Sequence, residues 1–333
     1  MNIPIFIPHE GCPNDCIFCN QRKISGCLAA PAEDEMRSII QTHLSAVNHR
    51  DCEIAFFGGS FTGLPFSEQE KYLQIAEEFV KSGQVQGIRL STRPDYINDE
   101  VLQLLGKHSV KIIELGIQSL DEEVLRQSRR FYSIETALKA CSLVKQYGIS
   151  LGVQTMLGLP GDTLEKSLYT AKTLILQKPD MVRLYPTLVI QDTDLETEYK
   201  NGQYKPLTVN DAVLWCSEII PLYEAAGIRV LRIGLHHSEN IQNGAEVIAG
   251  PAHPAFGELV YSEIWKRRIS EKLDQNAAVG KTLIIHVSAS EVSKVVGQHH
   301  QNLDYLKKVY GFTSIKVLGD RETENFLHLE FPF

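Results

Sequence analysis

The chain has 333 residues, long enough for one large domain or two. Apolar residues make up 43% and charged residues 22%, a balance that excludes disordered and fibrous classes. The net charge of −8 excludes a global electrostatic pull toward nucleic acid.

The first predicted strand, residues 3–8, runs into His9-Glu10-Gly11-Cys12-Pro13-Asn14-Asp15-Cys16-Ile17-Phe18-Cys19. This C-x3-C-x2-C spacing offers three thiolates where a four-iron cluster has four irons, which leaves one iron open to a small chelating molecule. The competing reading is structural zinc, with Cys27 or His9 as fourth ligand, but the chain has no second C-x2-C pair. Phe18 suits a flat heteroaromatic ligand. Disulfides are not expected, because the seven cysteines are odd in number and Cys52, Cys141 and Cys216 are scattered through apolar segments.

Strands and helices then alternate. Strands are predicted at 53–57, 87–91, 112–117, 150–156, 181–188 and 229–235, with helices at 33–47, 67–81, 98–107, 133–147, 163–177 and 209–226. Six or more consecutive β/α units with right-handed crossovers predict an α/β fold, a closed or partly closed barrel carrying its chemistry at the C-terminal strand ends. Several motifs fall there: the cysteines after the first strand, Gly58-Gly59-Ser60 after the second, Thr92-Arg93-Pro94-Asp95 after the third, Gln118-Ser119 after the fourth and Gly158-Leu159-Pro160-Gly161 after the fifth. Glycines at Gly58 and Gly59 let backbone groups approach a ligand closely. Tyr185 near the sixth strand end is a weak catalytic candidate, as are His236 and His237 after the seventh; His253 is a further loop histidine.

After a helix at 258–273, residues 274–280 form a connector. Beyond it a small β-α-α-β-β module is expected: strand 282–287, helix 291–296, a break at Gly297-Gln298-His299-His300, helix 302–310 and strands at 314–318 and 326–331. The domain division expected is a barrel over residues 1–275 and a module over 281–333. No leader peptide or bilayer-length apolar run is visible, so a cytoplasmic protein without a membrane partner is expected.

The cysteine loop with its aromatic Phe18 resembles the radical S-adenosylmethionine (SAM) superfamily. Ser91-Thr92-Arg93-Pro94-Asp95-Tyr96, Leu115-Gly116-Ile117-Gln118-Ser119, Met156–Gly161 and Leu184-Tyr185-Pro186-Thr187-Leu188-Val189-Ile190 resemble the catalytic subunit of Elongator and its bacterial and archaeal relatives, which modify wobble uridine in tRNA. The resemblance spans roughly residues 1–240. It implies a partial TIM-like barrel in which Cys12, Cys16 and Cys19 hold a [4Fe–4S] cluster. The open iron would chelate SAM, and one-electron cleavage would give a 5′-deoxyadenosyl radical. It further implies that Gly58, Gly59 and Ser60 hold the methionyl ammonium, that Gln118 lines the SAM site and that Arg130 pairs with a carboxylate, although Arg129 stands beside it. Ser91 replaces a glutamate often used toward the ribose, Tyr132 replaces a histidine, and the role of Gln154 is open.

About 90 residues follow Asn240, too few for the acetyltransferase domain of Elongator catalytic subunits, so a different acyl source or reaction is expected. The C-terminal module resembles a KH-type RNA-binding fold, in which a Gly-x-x-Gly turn clamps nucleic-acid backbone. Here His300 replaces the second glycine, and six Lys/Arg balance six Asp/Glu from Lys281 to Phe333. Near the module the local basic clusters are limited to Lys307-Lys308 and Lys266-Arg267-Arg268. The expected function is radical modification of RNA, most directly tRNA, by a transferase-type enzyme fed by a reductant such as flavodoxin or ferredoxin. Alternatives are a radical SAM oxidase of a porphyrinogen-type small molecule and a non-catalytic cluster protein that binds haem or RNA.

Overall fold

The structure is a computed structural model, and it describes all residues except 9–11, 13–15, 28, 47–51, 236–245, 277–281, 323–325 and 333. It divides into two compact units: residues Met1–Val209 with Leu222–Ala252, and Asn210–Pro221 with His253–Phe333.

In the first unit, seven strands form one parallel sheet in chain order among the described residues. They are β1 (Asn2–Ile7), β2 (Glu53–Gly58), β3 (Gly87–Thr92), β4 (Val110–Gln118), β5 (Ser150–Leu157), β6 (Met181–Pro186) and, after the short β7 (Val189–Ile190), β8 (Arg229–Ile233). The helices between them are α1 (Gln21–Ser25), α2 (Glu33–Ala46), α3 (Phe66–Lys81), α4 (Asp99–Lys107), α5 (Glu122–Gln127), α6 (Ile134–Gln146), α7 (Leu164–Leu176), α8 (Asp194–Lys200) and α9 (Val209–Ala225), of which Asn210–Pro221 belongs to the second unit. Many start at a side-chain cap. Asn98, Asp121, Ser133, Thr163 and Thr193 each accept an N–H from the first turn.

The strands have two unlike faces. Ile3, Ile5, Ile54, Phe56, Ile88, Leu90, Ile113, Leu115, Leu151, Val153 and Leu184 are essentially fully buried and make the apolar core. The alternate residues line an interior cavity and are largely polar: Ser91, Gln154, Arg183 and Tyr185 among them. The sheet is therefore a curled half-barrel with an apolar outer face and a polar inner one.

Three short elements escape the sequence pattern. Helices α1, α5 and α8 are too short to show a period, and α5 begins at the Asp121 cap. The sixth strand stops at Pro186, two residues before the expected end, because proline has no N–H to continue the ladder. The chain turns there, and β7 pairs antiparallel with β9 (Val247–Ala249) instead.

In the second unit, β10 (Thr282–Ser288) pairs parallel with β11 (Ser314–Arg321) and antiparallel with β12 (His328–Glu330). Between β10 and β11 lie α11 (Val292–Val296), the turn 297–300 and α12 (Gln301–Tyr310), the strand–helix–turn–helix–strand order of a KH-like module. The preceding α10 (Phe256–Asn276) contributes Trp265, Ile269 and Leu273 to one core with Leu283, Ile285, Leu306 and Phe312. This unit thus begins earlier in the chain than residue 281. Gly297 (φ 75°) is backed by α10: a Cβ there would lie 2.9 Å from Ser262 Oγ. The buried Asn302 amide donates to Ser262 O and Val295 O, fixing the turn to both helices. The backbone of the turn is closed on that side, and His299 and His300 are exposed in left-handed conformation.

Candidate functional site

The cysteine loop follows β1. Cys12, Cys16 and Cys19 are free thiols, and all three line one cavity of about 730 Å³ inside the half-barrel. The loop is held by its apolar residues: Ile17 and Phe18 pack with Val124, Leu159 and Leu195, while Cys19 N–H donates to Cys16 O at 2.9 Å. Phe18 also borders the cavity. Burial, and then the neighbouring charge of Cys16, push the Cys19 thiol up to about 12; a hydrogen bond from Gln21 opposes this and Cys12 adds a smaller push.

Positive charge surrounds them. Arg130 Nη1 donates to Cys16 Sγ at 3.3 Å, and Arg93 Nη1 lies 3.8 Å from the same sulfur. Arg130 is buried and held on three sides: Nε donates to Tyr132 Oη at 3.0 Å, and Nη2 donates to the Gly116 carbonyl. Tyr132 in turn donates to Ile117 O at 2.6 Å. Arg129 takes a left-handed conformation and pairs with Asp194 at the surface. Of the two adjacent arginines only Arg130 reaches the cavity.

Gly58, Gly59 and Ser60 form the second wall. Gly58 has φ 105°, and a Cβ there would lie 3.1 Å from Ile7 O, so only glycine fits without strain. Ser60 Oγ accepts from Cys12 Sγ at 3.4 Å. On β4 a register shift between Gly116 and Gln118 puts Gln118 at φ 67°, a strained value for a non-glycine. Its Oε1 is buried without a hydrogen-bond partner. A buried orphan acceptor in a cavity wall is an unmet bond that a ligand donor would satisfy.

Ser91 borders the cavity and accepts from Gln154 Nε2 at 3.2 Å. Gln154 also reaches Glu114, a fully buried carboxylate paired with Arg89 at 3.0 Å and with Arg183. Tyr185 lines the cavity, and burial raises its pKa. His236 and His237 lie outside the described residues. His253 is used locally, its Nδ1 accepting from Ala255 N–H at 3.1 Å. Gly158–Gly161 do not border the cavity; they shape the turn after β5, where Asp162 accepts from Gly158 N–H at 2.8 Å.

Glu114, Arg183 and Arg232 belong to no motif that assigns them a role, and Arg93 sits in one without a role of its own. Their signal was a charged residue at alternate positions of an otherwise apolar strand, as in Ile-Ile-Glu-Leu-Gly and Met-Val-Arg-Leu-Tyr.

The residues suit an iron–sulfur cluster with SAM. Three cavity-facing thiols, two guanidinium groups beside one sulfur, a glycine cradle and an orphan acceptor match a thiolate-held, anionic centre with an organic ligand. Among the described residues no three His, Cys, Asp or Glu side chains gather as the ligands of a single ion would. A cluster spreads its thiolates over separate irons, so it does not require that convergence. Cys27 lies 3.8 Å from Ser25 O and does not border the cavity, and His9 is outside the described residues.

Fold and cavity define the class: a partial (β/α) barrel with its cavity walled by the C-terminal strand ends. The chain belongs to the radical SAM superfamily, whose family profile matches residues 6–174; the radical SAM C-terminal domain matches residues 179–266. It is similar to the tRNA uridine(34) acetyltransferase of Methanocaldococcus jannaschii, 30% identical over 200 residues, 58% of this chain and 35% of that protein. It is 31% identical to human Elongator complex protein 3 over 139 residues, 41% of this chain and 25% of that one. The chain thus spans about a third or less of these two relatives' length. An archaeal Elongator protein 3 structure from Methanocaldococcus infernus superposes with TM-score 0.63 at 21% identity, covering 84% of this chain and 64% of that chain.

Proposed function

We propose that this protein is a radical SAM enzyme that modifies RNA, most directly tRNA. The observation that carries the enzyme reading is the meeting of Cys12, Cys16 and Cys19 with Gly58, Gly59, Gln118 and Arg130 around one cavity. In this reading the three cysteines hold a [4Fe–4S] cluster, and Gly58, Gly59, Ser60, Ser91 and Phe18 border the SAM site. Bound there, cluster and SAM supply one-electron cleavage of the sulfonium bond and a 5′-deoxyadenosyl radical.

The protein's own contribution is placement. Arg130, fixed by Tyr132 and Gly116 O, presents a guanidinium fork to a carboxylate and a positive charge to the cluster sulfurs. Gln118 offers its unpaired Oε1 to a ligand donor. Gly58, with Ile7 O where a Cβ would stand, lets the end of β2 turn closely against β1 at the cavity wall. Ile17 and Phe18 close the loop on its apolar side and exclude water there.

The tRNA substrate rests on the relatives' names, tRNA uridine(34) acetyltransferase among them. Two measurements test the proposal. Reduced, cluster-loaded protein is expected to form 5′-deoxyadenosine from SAM, and Cys16→Ala to lose both the cluster absorbance and that product. Cleavage surviving in Cys16→Ala would sink the site assignment. Nucleoside composition of tRNA from cells with and without the gene tests the substrate, and identical compositions exclude tRNA.

A further inference from the structure

The half-barrel interior carries a cation with no ion-pair partner among the described residues. Glu53, Arg89, Glu114 and Arg183 form a chain of ion pairs across β2, β3, β4 and β6. Those two carboxylates are matched by two guanidinium groups. Arg232 on β8 is a third cation, it borders the same cavity, and no carboxylate among the described residues lies within ion-pairing distance of it.

Its position is built. The β6–β8 ladder aligns Val182 with Val230, then shifts by one residue so that Arg183 stands opposite Arg232. An unbroken ladder would have placed Leu231 there. A bulge of this kind re-aims a side chain, here toward a like charge on the neighbouring strand, which is an unfavourable cross-strand pair. Burial and the nearby Arg183 pull the Arg232 guanidinium below its ordinary pKa, against an opposing influence of Tyr185. Tyr185, two residues along β6 on the same face, brings a hydroxyl to the group. Arg183 uses Nε and Nη2 on Glu114, Tyr185 hydrogen-bonds the same guanidinium, and its Cζ lies 5.6 Å from the centroid of the Phe57 ring.

We propose that Arg183, Arg232 and Tyr185 form a receptor for an oxyanion of the substrate, a phosphate or a carboxylate, on the β6–β8 side of the cavity. The Arg232 fork, the Arg183 guanidinium beside it and the Tyr185 phenol match the planar or tetrahedral oxygens of such a group, whose charge would sit between two like charges and relieve their repulsion. The receptor is made by strands other than those that carry the cysteine loop and the glycine cradle. It goes beyond the proposed function and does not depend on tRNA being the substrate.

The test uses full-length, cluster-loaded protein and its thermal unfolding midpoint, as sodium phosphate or sodium acetate replaces sodium chloride at constant ionic strength. One of the two anions is expected to raise the wild-type midpoint saturably by about 2 °C or more. A response to phosphate assigns a phosphate-bearing substrate, and a response to acetate a carboxylate. Arg232→Gln is expected to abolish the response and, in chloride alone, to melt no lower than wild type, because a like-charge contact has gone. Arg232→Lys should keep a weakened response, since ammonium supplies the charge without the fork. The proposal is overturned if neither anion exceeds chloride, or if Arg232→Gln responds as wild type does. Should Arg232→Gln fail to fold, an undiminished response in Arg232→Lys overturns it. SAM cleavage is measured separately on wild type, so its absence would count against the enzyme reading and leave the receptor standing.

Discussion

Glu114 shows how much one buried charge decides. It is 1% exposed and holds Arg89, Arg183 and Gln154 together across four strands. Glu114→Gln keeps the shape but leaves two guanidinium groups in the interior without that counter-charge. The expected cost is about 3–5 kcal/mol of unfolding free energy, read from urea midpoints, because removing one partner of a buried pair strands the other. A loss under 1 kcal/mol would show that water in the cavity screens the cluster of charges. At this scale the sequence was legible in part. The cysteine triplet, Gly58-Gly59 and Gln118 announce themselves as residue types out of place in a strand-to-helix turn. Arg183 and Arg232 do not, since an arginine in a strand reads as a surface residue until the register says which face it takes. Arg232 is harder still, because a one-residue shift in β8 decides its direction. Gln118's left-handed backbone likewise has no mark in the residue itself.

Among the elements, the β10–β11–β12 sheet carries a pH-sensitive tie. His286 on the central strand faces Asp320 on β11 at 2.9 Å and Glu330 on β12 at 3.1 Å, with Arg321 and the His328 ring also near. The hydrogen bond to Asp320 raises the His286 pKa above its ordinary value, and the same bond lowers that of Asp320. A histidine with raised folded-state pKa stabilises fully below its unfolded value of about 6.5 and loses that contribution as pH rises through the folded value. A carboxylate with lowered pKa stabilises above its unfolded value of about 3.9 and loses it on acidification. The sheet should therefore be firmest from about pH 4 to somewhat above 6.5. Hydrogen exchange of the β10 amides followed across that range reads this, and in His286→Gln the loss of protection above pH 6.5 should vanish. An unchanged profile in the variant would assign the pH dependence elsewhere. The long elements were readable because alternation, helical period and caps agree. The pairing of β7 with β9 was not, since two residues carry no period and their partner lies far along the chain.

For the whole molecule the question is how a protein of net charge −8 would meet a polyanion. Much of the local positive charge is already spent: Lys266 and Arg267 pair with Glu263, and Arg267 also pairs with Glu218. Binding of tRNA should then release few counterions. A slope of log K against log salt of about −2 to −3 is expected, the value for some three phosphate contacts. A slope beyond about −5, measured by filter binding between 50 and 200 mM salt, would require a basic face that the charge distribution does not supply. The overall architecture, a partial barrel followed by a strand–helix–turn–helix–strand module, was legible from the order of elements. That Gly297 is backed by α10 was not, because contact between a turn and a helix over thirty residues earlier leaves no local pattern.

The two unlike faces of the half-barrel strands carry a consequence for how such a protein changes. Stability is written on Ile3, Ile54, Leu90, Leu115, Val153 and their like, while the cavity is written on the residues between them. One strand thus holds two texts, interleaved letter by letter, and only where the inner text carries the buried charges around Glu114 does it also bear on stability. Inner positions outside that charge network, such as Pro4 and Phe6, are where variation would reshape the cavity with least effect on folding. The one-residue shift in β8 adds that register, as well as residue, decides which side chain the cavity receives.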